Sequence, residues 1–326
     1  MQGALMTTGL LMVDVTRGER IESTHSVAAC ACDDRGAVVL ACGDVDAPVY
    51  LRSAAKPFIA AAVLLAGAAE RFGLEQREIA VMCASHAGQP GHVELVASIL
   101  AKIGASAGEL QCGLQPGREP TPLGNNCSGK HAGILALAKL RGEPFAGYLD
   151  VAHPVQREIL AFCERVFADR FPPDRIGVDG CGIPVFATSL ATAARAFARF
   201  GALRGVGDDD TRALRSVRDA MLAQPWVVAG TGRFDTDLMQ AAHGAIVAKG
   251  GAEGVHASAL PASGTGLVLK VLDGAARAVP PAAIALLARL GALDARAIAQ
   301  LEPHARTPVR NVAGRIVGEI HARATP

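Results

Sequence analysis

The chain has 326 residues, half of them hydrophobic, and its 32 Lys and Arg stand against 31 Asp and Glu for a net charge of +1. At roughly 150 residues per domain, this length supports about two domains, or one large two-lobed domain whose core needs no covalent staples, and it excludes a disordered tail protein. The near-neutral balance shows no clustered Lys and Arg for a nucleic acid or an acidic membrane, so a small molecule is the expected ligand.

The first twenty residues, MQGALMTTGLLMVDVTRGER, hold a short apolar stretch with no positive charge ahead of it and no small-residue cleavage site, so no secretory signal is expected. No window reaches the roughly 18 to 20 uninterrupted apolar residues of a membrane span. A cytoplasmic protein is expected. Residues 27–31 and 37–42 flank CDDRG and read as a β-hairpin. Residues 57–69 are apolar on every side and read as a buried helix closed by a left-handed cap at Gly73. Helical patterns recur at 92–103, 130–141, 153–168, 186–200, 209–223, 238–246 and 280–291, and 202–212 reads as a flexible surface loop. Strand signals return at 245–251, 254–260, 264–274 and 310–323, with HASAL and GLVLKVL forming a hairpin through PASGT. The expected fold class is α/β (α+β): an antiparallel sheet built from both termini and flanked by helices, with an inserted helical lobe. The sheet lobe takes roughly residues 1–60 and 225–326, and the helical lobe roughly 61–224, of a single two-lobed catalytic domain over 1–326.

Eight cysteines lie between residues 30 and 181 without a C-x-x-C pair, and most read as small buried hydrophobes in a reducing compartment. Chemistry concentrates elsewhere. In LRSAAKPFIA, Ser53 as helix cap puts Pro57 in the first turn, and the i, i+3 spacing sets the Lys56 amine beside the Ser53 hydroxyl, where an apolar helix lowers its pKa. A capping serine and a surface lysine are the plainer reading. Ser85 and His86 fall on a loop before Gly88 and Pro90, and Lys249 precedes two glycines at a strand exit. S-x-x-K, a serine loop and a Lys-Gly strand follow the chain order of penicillin-recognising serine hydrolases, but Ser-His-Ala and Lys-Gly-Gly stand where Ser-Asp-Asn and Lys-Thr-Gly would be. Cys127, Lys130 and His131 in NNCSGKHAGIL, with Cys181 in VDGCGIPVF, offer soft and nitrogen ligands to a metal, or else are buried thiols in tight loops. Asp179 adds a carboxylate for an ammonium group. Arg233, Asp235 and Asp237 read as an internal ion-pair cluster without chemistry.

LRSAAKPFIA, ASHAGQPGHVE, NNCSGKHAGILA, VDGCGIPVFATSL, AGTGRFDTDLM and KGGAEGV, in that order, resemble the Rhizobium-type L-asparaginases, the third structural class of these enzymes, over roughly residues 10–325. The resemblance implies a fold like that of serine β-lactamases and glutaminases, and a homodimer. It implies two Ser-Lys tandems facing one pocket, Ser53 with Lys56 and Ser85 with Lys249. It implies a zinc ion held by Cys127, Lys130 and Cys181, and Arg52, His131 and Asp179 around the substrate. The implied reaction is hydrolysis of L-asparagine to L-aspartate and ammonia through a serine acyl-enzyme. Ser53 is the expected nucleophile with Lys56 as base, Ser85 and Lys249 relaying protons; the opposite assignment has Ser85 attacking. Two other readings stand beside it: a serine β-lactamase or glutaminase-like hydrolase, and a non-catalytic zinc-stabilised amino-acid-binding protein.

Overall fold

Short runs of β-branched and small residues lie at the two ends of the chain, and helix-forming Ala- and Leu-rich stretches lie between them. The computed structural model describes residues 5–7, 9–118 and 120–323; the outermost residues of the expected sheet lobe lie outside these. One compact unit takes the chain up to Val49, Ser189–Ala202 and everything from Asp237 onward. The second takes Tyr50–Thr188 and Leu203–Thr236.

The strands in chain order are β1 (Leu5–Thr7), β2 (Leu11–Arg17), β3 (Arg20–Cys32), β4 (Val38–Cys42), β5 (Pro48–Tyr50), β6 (Ile176–Val178), β7 (Pro184–Ser189), β8 (Val247–Gly251), β9 (Val255–Leu260), β10 (Thr265–Val271), β11 (Arg306–Arg310) and β12 (Ile316–Ala322). In the first unit nine of them form one sheet in the order β11-β12-β2-β3-β10-β9-β8, with β4 also on β3 and β1 parallel to β4. β3 is 13 residues long. Its first half pairs with β2 and its second half with β4 along one edge, while β10 takes the other edge from Val27↔Val271 to Cys32↔Gly266. Both expected hairpins are present, β3–β4 and β9–β10. Every residue of β9 is buried, as for a strand covered on both faces. The helix Leu190–Ala202 lies against β10, β3 and β9. Gly266 permits the approach, since a Cβ there would overlap the Ala194 carbonyl and the Ala198 amide.

In the second unit the helix Lys56–Leu65 is buried at nine of its ten positions and packs against the helices Ser128–Arg141, Pro154–Phe167 and Asp208–Ala223. An element apolar all round belongs at such a centre. The helix is shorter than the sequence suggests: Gly67 takes a left-handed φ of 92° and divides it from Ala68–Phe72, which ends on the left-handed Gly73.

Other boundaries move for local reasons. The expected helix 186–200 begins only at Leu190, because PVFATS, rich in branched and aromatic residues, forms β7. The helix expected at 238–246 is Phe234–Ala241, and 310–323 is two strands folded at Asn311–Arg315, where Asn311 N–H bonds Arg315 O and Gly314 is left-handed. The expected loop 202–212 becomes helix at Asp208. All eight cysteines are buried and unpaired by disulfide. Among the described residues no helix is long and apolar enough to cross a membrane.

Candidate active site

The site grows from three backbone turns of the second unit. Residues Arg52–Ala55 make a 3₁₀ turn that runs directly into the helix starting at Lys56, with Pro57 in its first turn. The N-cap is Ala55, without a side-chain cap. Ser53 therefore does not cap the helix; its carbonyl accepts the Lys56 N–H and its half-buried side chain sits one turn earlier. A helical side chain leans toward the N-terminus, so Lys56, the first residue, runs back beyond the helix start. Its Nζ lies 2.5 Å from Ala84 O, 3.1 Å from Ser85 Oγ and 3.2 Å from Asn126 O. The amine thus meets Ser85, where the sequence had paired it with Ser53. Lys56 is 1% exposed. Burial pushes its pKa down, and the charge of Lys130 adds to this while Cys127 opposes it.

Ser85 is placed by the helix Gln76–Met82, which the sequence reading did not separate and which opens with a capping box between Glu75 and Glu78. The chain leaves it through Cys83 and Ala84, and Ser85 N–H donates to Val228 O at 2.9 Å. The helix Ser128–Arg141 lies directly behind. Gly129 and Gly133, one turn apart, face Val81 and Met82: a Cβ on Gly129 would strike the Val81 carbonyl, and one on Gly133 would lie 2.6 Å from Met82 Sδ. These glycines of the NNCSGKHAGIL motif are what let the serine segment approach so closely. The turn before them is fixed by Asn125, whose Nδ2 donates to Cys112 O and Gly113 O and whose Oδ1 accepts from Cys127 N–H.

The third turn joins β6 to β7. Asp179 N–H bonds Ile183 O, Gly182 N–H bonds Asp179 O, and Gly182 is left-handed at φ 93°. Phe186 on β7 stacks on Phe171 at 4.0 Å and meets Phe167 at 5.3 Å, while Phe167 also meets Phe58 of the Lys56 helix at 4.8 Å. This aromatic group holds the turn to the lysine's helix. The Cys127, Asp179 and Cys181 ligand atoms lie within 4.8 Å of one another. Lys130 Nζ is 2.9 Å from Cys181 Sγ and 4.0 Å from Asp179 Oδ2. Of the two thiols, Cys127 is held well down, because Cys181 donates a hydrogen bond to it and Lys130 and Lys56 face it; Cys181 is held up as the protonated partner. Burial works against the Lys130 charge, but Cys127, Cys181 and Asp179 outweigh it and hold the ammonium above its ordinary range.

Arg52 Nε donates to Asp179 Oδ1 at 2.5 Å from a backbone with φ 53°, an uncommon left-handed conformation for a non-glycine residue. Burial raises the Asp179 pKa, yet Lys130 and Arg52 more than offset it, and the carboxylate stays below its usual range. His131 is fully buried, and Nδ1 lies 2.6 Å from the Tyr148 hydroxyl, which accepts Gln111 N–H at 2.9 Å. Among the described residues His131 Nε2 has no hydrogen-bond partner. Tyr148 and Asn126 were not legible as site residues, since neither carries a motif. Lys249 belongs to the first unit, on β8, buried, with Nζ donating to Gly250 O at 2.7 Å. Of the expected residues, the second unit brings together Arg52, Lys56, Ser85, Cys127, Lys130, Asp179 and Cys181, with Ser53 in the turn Arg52–Ala55 and His131 on the helix Ser128–Arg141.

A family model described as L-asparaginase II matches residues 13–322. The chain belongs to the L-asparaginase II family. No curated protein matches the sequence. Among solved structures, it is similar to Mglu in its glutamate form, at 14% identity over 82% of this chain and 61% of that one, with a TM-score of 0.38. It is also similar to a β-lactamase from Mycobacterium bovis, at 16% identity over 81% of this chain and 94% of that one, with a TM-score of 0.42. This L-asparaginase II family chain thus spans 61% of the length of Mglu.

Proposed function

We propose that this chain is an amidohydrolase that cleaves the side-chain amide of L-asparagine to L-aspartate and ammonia through an acyl-enzyme on Ser85, with Lys56 as base. One observation carries the reading: the buried Lys56 Nζ lies 3.1 Å from Ser85 Oγ, with two backbone carbonyls and the Cys127 sulfur also around it. A neutral amine has two N–H bonds and one lone pair. In the neutral amine the N–H bonds are shared among Ala84 O, Asn126 O and the Cys127 sulfur, which leaves the lone pair for the Ser85 Oγ proton, the arrangement a general base needs.

Ser85 Oγ attacks the amide carbon as its proton passes to Lys56 Nζ. Lys56 then gives that proton to the departing nitrogen, which leaves as ammonia, and the β-aspartyl ester remains on Ser85. Water adds to the ester, its proton goes to Lys56, and collapse returns the proton to Ser85 Oγ and frees L-aspartate. The Arg52–Asp179 pair matches an amino acid's two charges, Asp179 taking the α-ammonium and Arg52 the α-carboxylate. Ser53 and Lys249 form part of the implied pair of tandems, a role that rests on the resemblance alone.

The donor chemistry at Cys127, Cys181 and Lys130 fits zinc: one thiol is already disposed to ionise, and sulfur and nitrogen ligands suit that metal. These three residues would hold the ion, with Asp179 beside them, and its positive charge would orient substrate and fix the turns. Lys130 must be neutral to donate, so the ion's own charge would have to displace the proton that Cys127, Cys181 and Asp179 otherwise hold on it. A homodimer is the assembly we propose, to be read by sedimentation.

Ammonia release from L-asparagine tests the reading. Ser85→Ala should abolish turnover with the fold intact, and Ser53→Ala should retain measurable turnover. Loss in Ser53→Ala together with full activity in Ser85→Ala would reverse the assignment, and a wild-type protein that binds L-asparagine without releasing ammonia would make it a binding protein.

A further inference from the structure

His86 follows Ser85 directly and is completely buried. Gly88 N–H donates to its Nδ1 at 3.1 Å, so the ring proton sits on Nε2. That N–H points at Ser128 Oγ, 3.0 Å away, and the Ser128 hydroxyl in turn donates to Leu123 O at 2.8 Å. Every donor and acceptor in this short chain is used once. The imidazole is clamped from the side as well: it stacks on His92 at 5.0 Å, which stacks on Trp226 at 4.2 Å. The peptide carbonyl of His86 accepts from Arg118 Nη1 at 2.5 Å.

The position of this clamp gives it a purpose. Lys56 joins the segment of Ala84 and Ser85 to Asn126 on one side of the serine. The His86–Ser128 bond joins the same two segments on the other side, next to Cys127. Ser85 is thus suspended between two cross-links to the start of one helix. We infer that His86 is a positioning residue: through Ser128 it fixes the Ser85 hydroxyl at the Lys56 amine and ties that hydroxyl to the Cys127 turn. The inference rests on Ser85 being the nucleophile. Displacement of a reacting atom by about 1 Å costs up to roughly 100-fold in rate.

The test is steady-state ammonia release from L-asparagine by the full chain, with Ser85→Ala as reference. His86→Leu and Ser128→Ala should each lower kcat about 10- to 100-fold with KM changed less than about threefold. The double variant should be no slower than the slower single one, because both remove one contact. His86→Gln, whose amide N–H reaches the place of Nε2, should recover most of the rate. Reaction of Ser85 with a fluorophosphonate, read by mass spectrometry, should slow in parallel with kcat. Should His86→Leu fail to fold, Ser128→Ala and His86→Gln still decide the matter. Wild-type kcat in Ser128→Ala, strictly multiplicative losses in the double variant, or no recovery in His86→Gln would overturn the positioning role while leaving the nucleophile in place. Turnover by Ser85→Ala would overturn both.

Discussion

Gly129→Ala sets two well-understood effects against each other. Within a helix, replacing glycine by alanine contributes about 1 kcal/mol of stability. Gly129 is the second residue of the helix Ser128–Arg141, where a Cβ would collide with Val81 O, lie 2.7 Å from Val81 C and 3.2 Å from Val81 Cγ2. The obstacle is backbone, and that carbonyl is already held as acceptor of the Ala84 N–H. It must move with its segment. Overpacking of this kind costs about 1–3 kcal/mol, so the net change is a loss of up to about 2 kcal/mol. The displaced segment carries Ala84 and Ser85, so kcat should fall by roughly 100-fold, far more than the stability change alone would suggest. Denaturant midpoints and ammonia-release kinetics measure the two quantities. A variant more stable than wild type with unchanged kcat would refute the close approach as what places the serine.

Lys56→Met, which keeps the buried volume and removes the amine, should lower kcat by roughly 10² to 10⁴ with the far-UV spectrum unchanged; retained activity would remove Lys56 from the mechanism. Cys181→Ala should leave less zinc per chain after dialysis, and an unchanged metal content would refute its place in the donor set. Arg323, then Thr24, holds the pKa of buried Asp14 below its ordinary value. The stability from that pair is full above the ordinary carboxylate range and is lost as pH falls through the lowered value. Arg323→Met should therefore be slightly less stable than wild type near neutrality, the difference kept small because Arg323 is half exposed, and the two should converge in strong acid. A gap that persists there would show that packing, not charge, is responsible.

Patterns with a period were readable in the sequence. The alternating strands at both ends, the all-apolar helix after Lys56 and the left-handed Gly73 follow from local rules. Chemistry depending on chain direction was not. The i, i+3 spacing of Ser53 and Lys56 suggested contact, but a lysine in the first position of a helix leans back past its own turn, and its partner, Ser85, comes from 29 residues further along. PVFATS read as helix because its apolar residues continue into Leu190–Ala202 without a break, and only pairing with β6 decides it. Roles for His86, Ser128 and Tyr148 arise from which proton each ring or hydroxyl holds, and that is set by backbone groups distant in sequence.

The long strand β3 also shapes how the molecule is made. Val27 waits for Val271, about 240 residues later, which at ribosomal speeds of about 5–20 residues per second is an interval of roughly 10 to 50 s. All of Tyr50–Thr188 emerges in that time. The apolar border VAACAC is meanwhile unzipped, an adhesive template for any passing strand. Nascent chains should accordingly lean on chaperones until the last third of translation closes the seam.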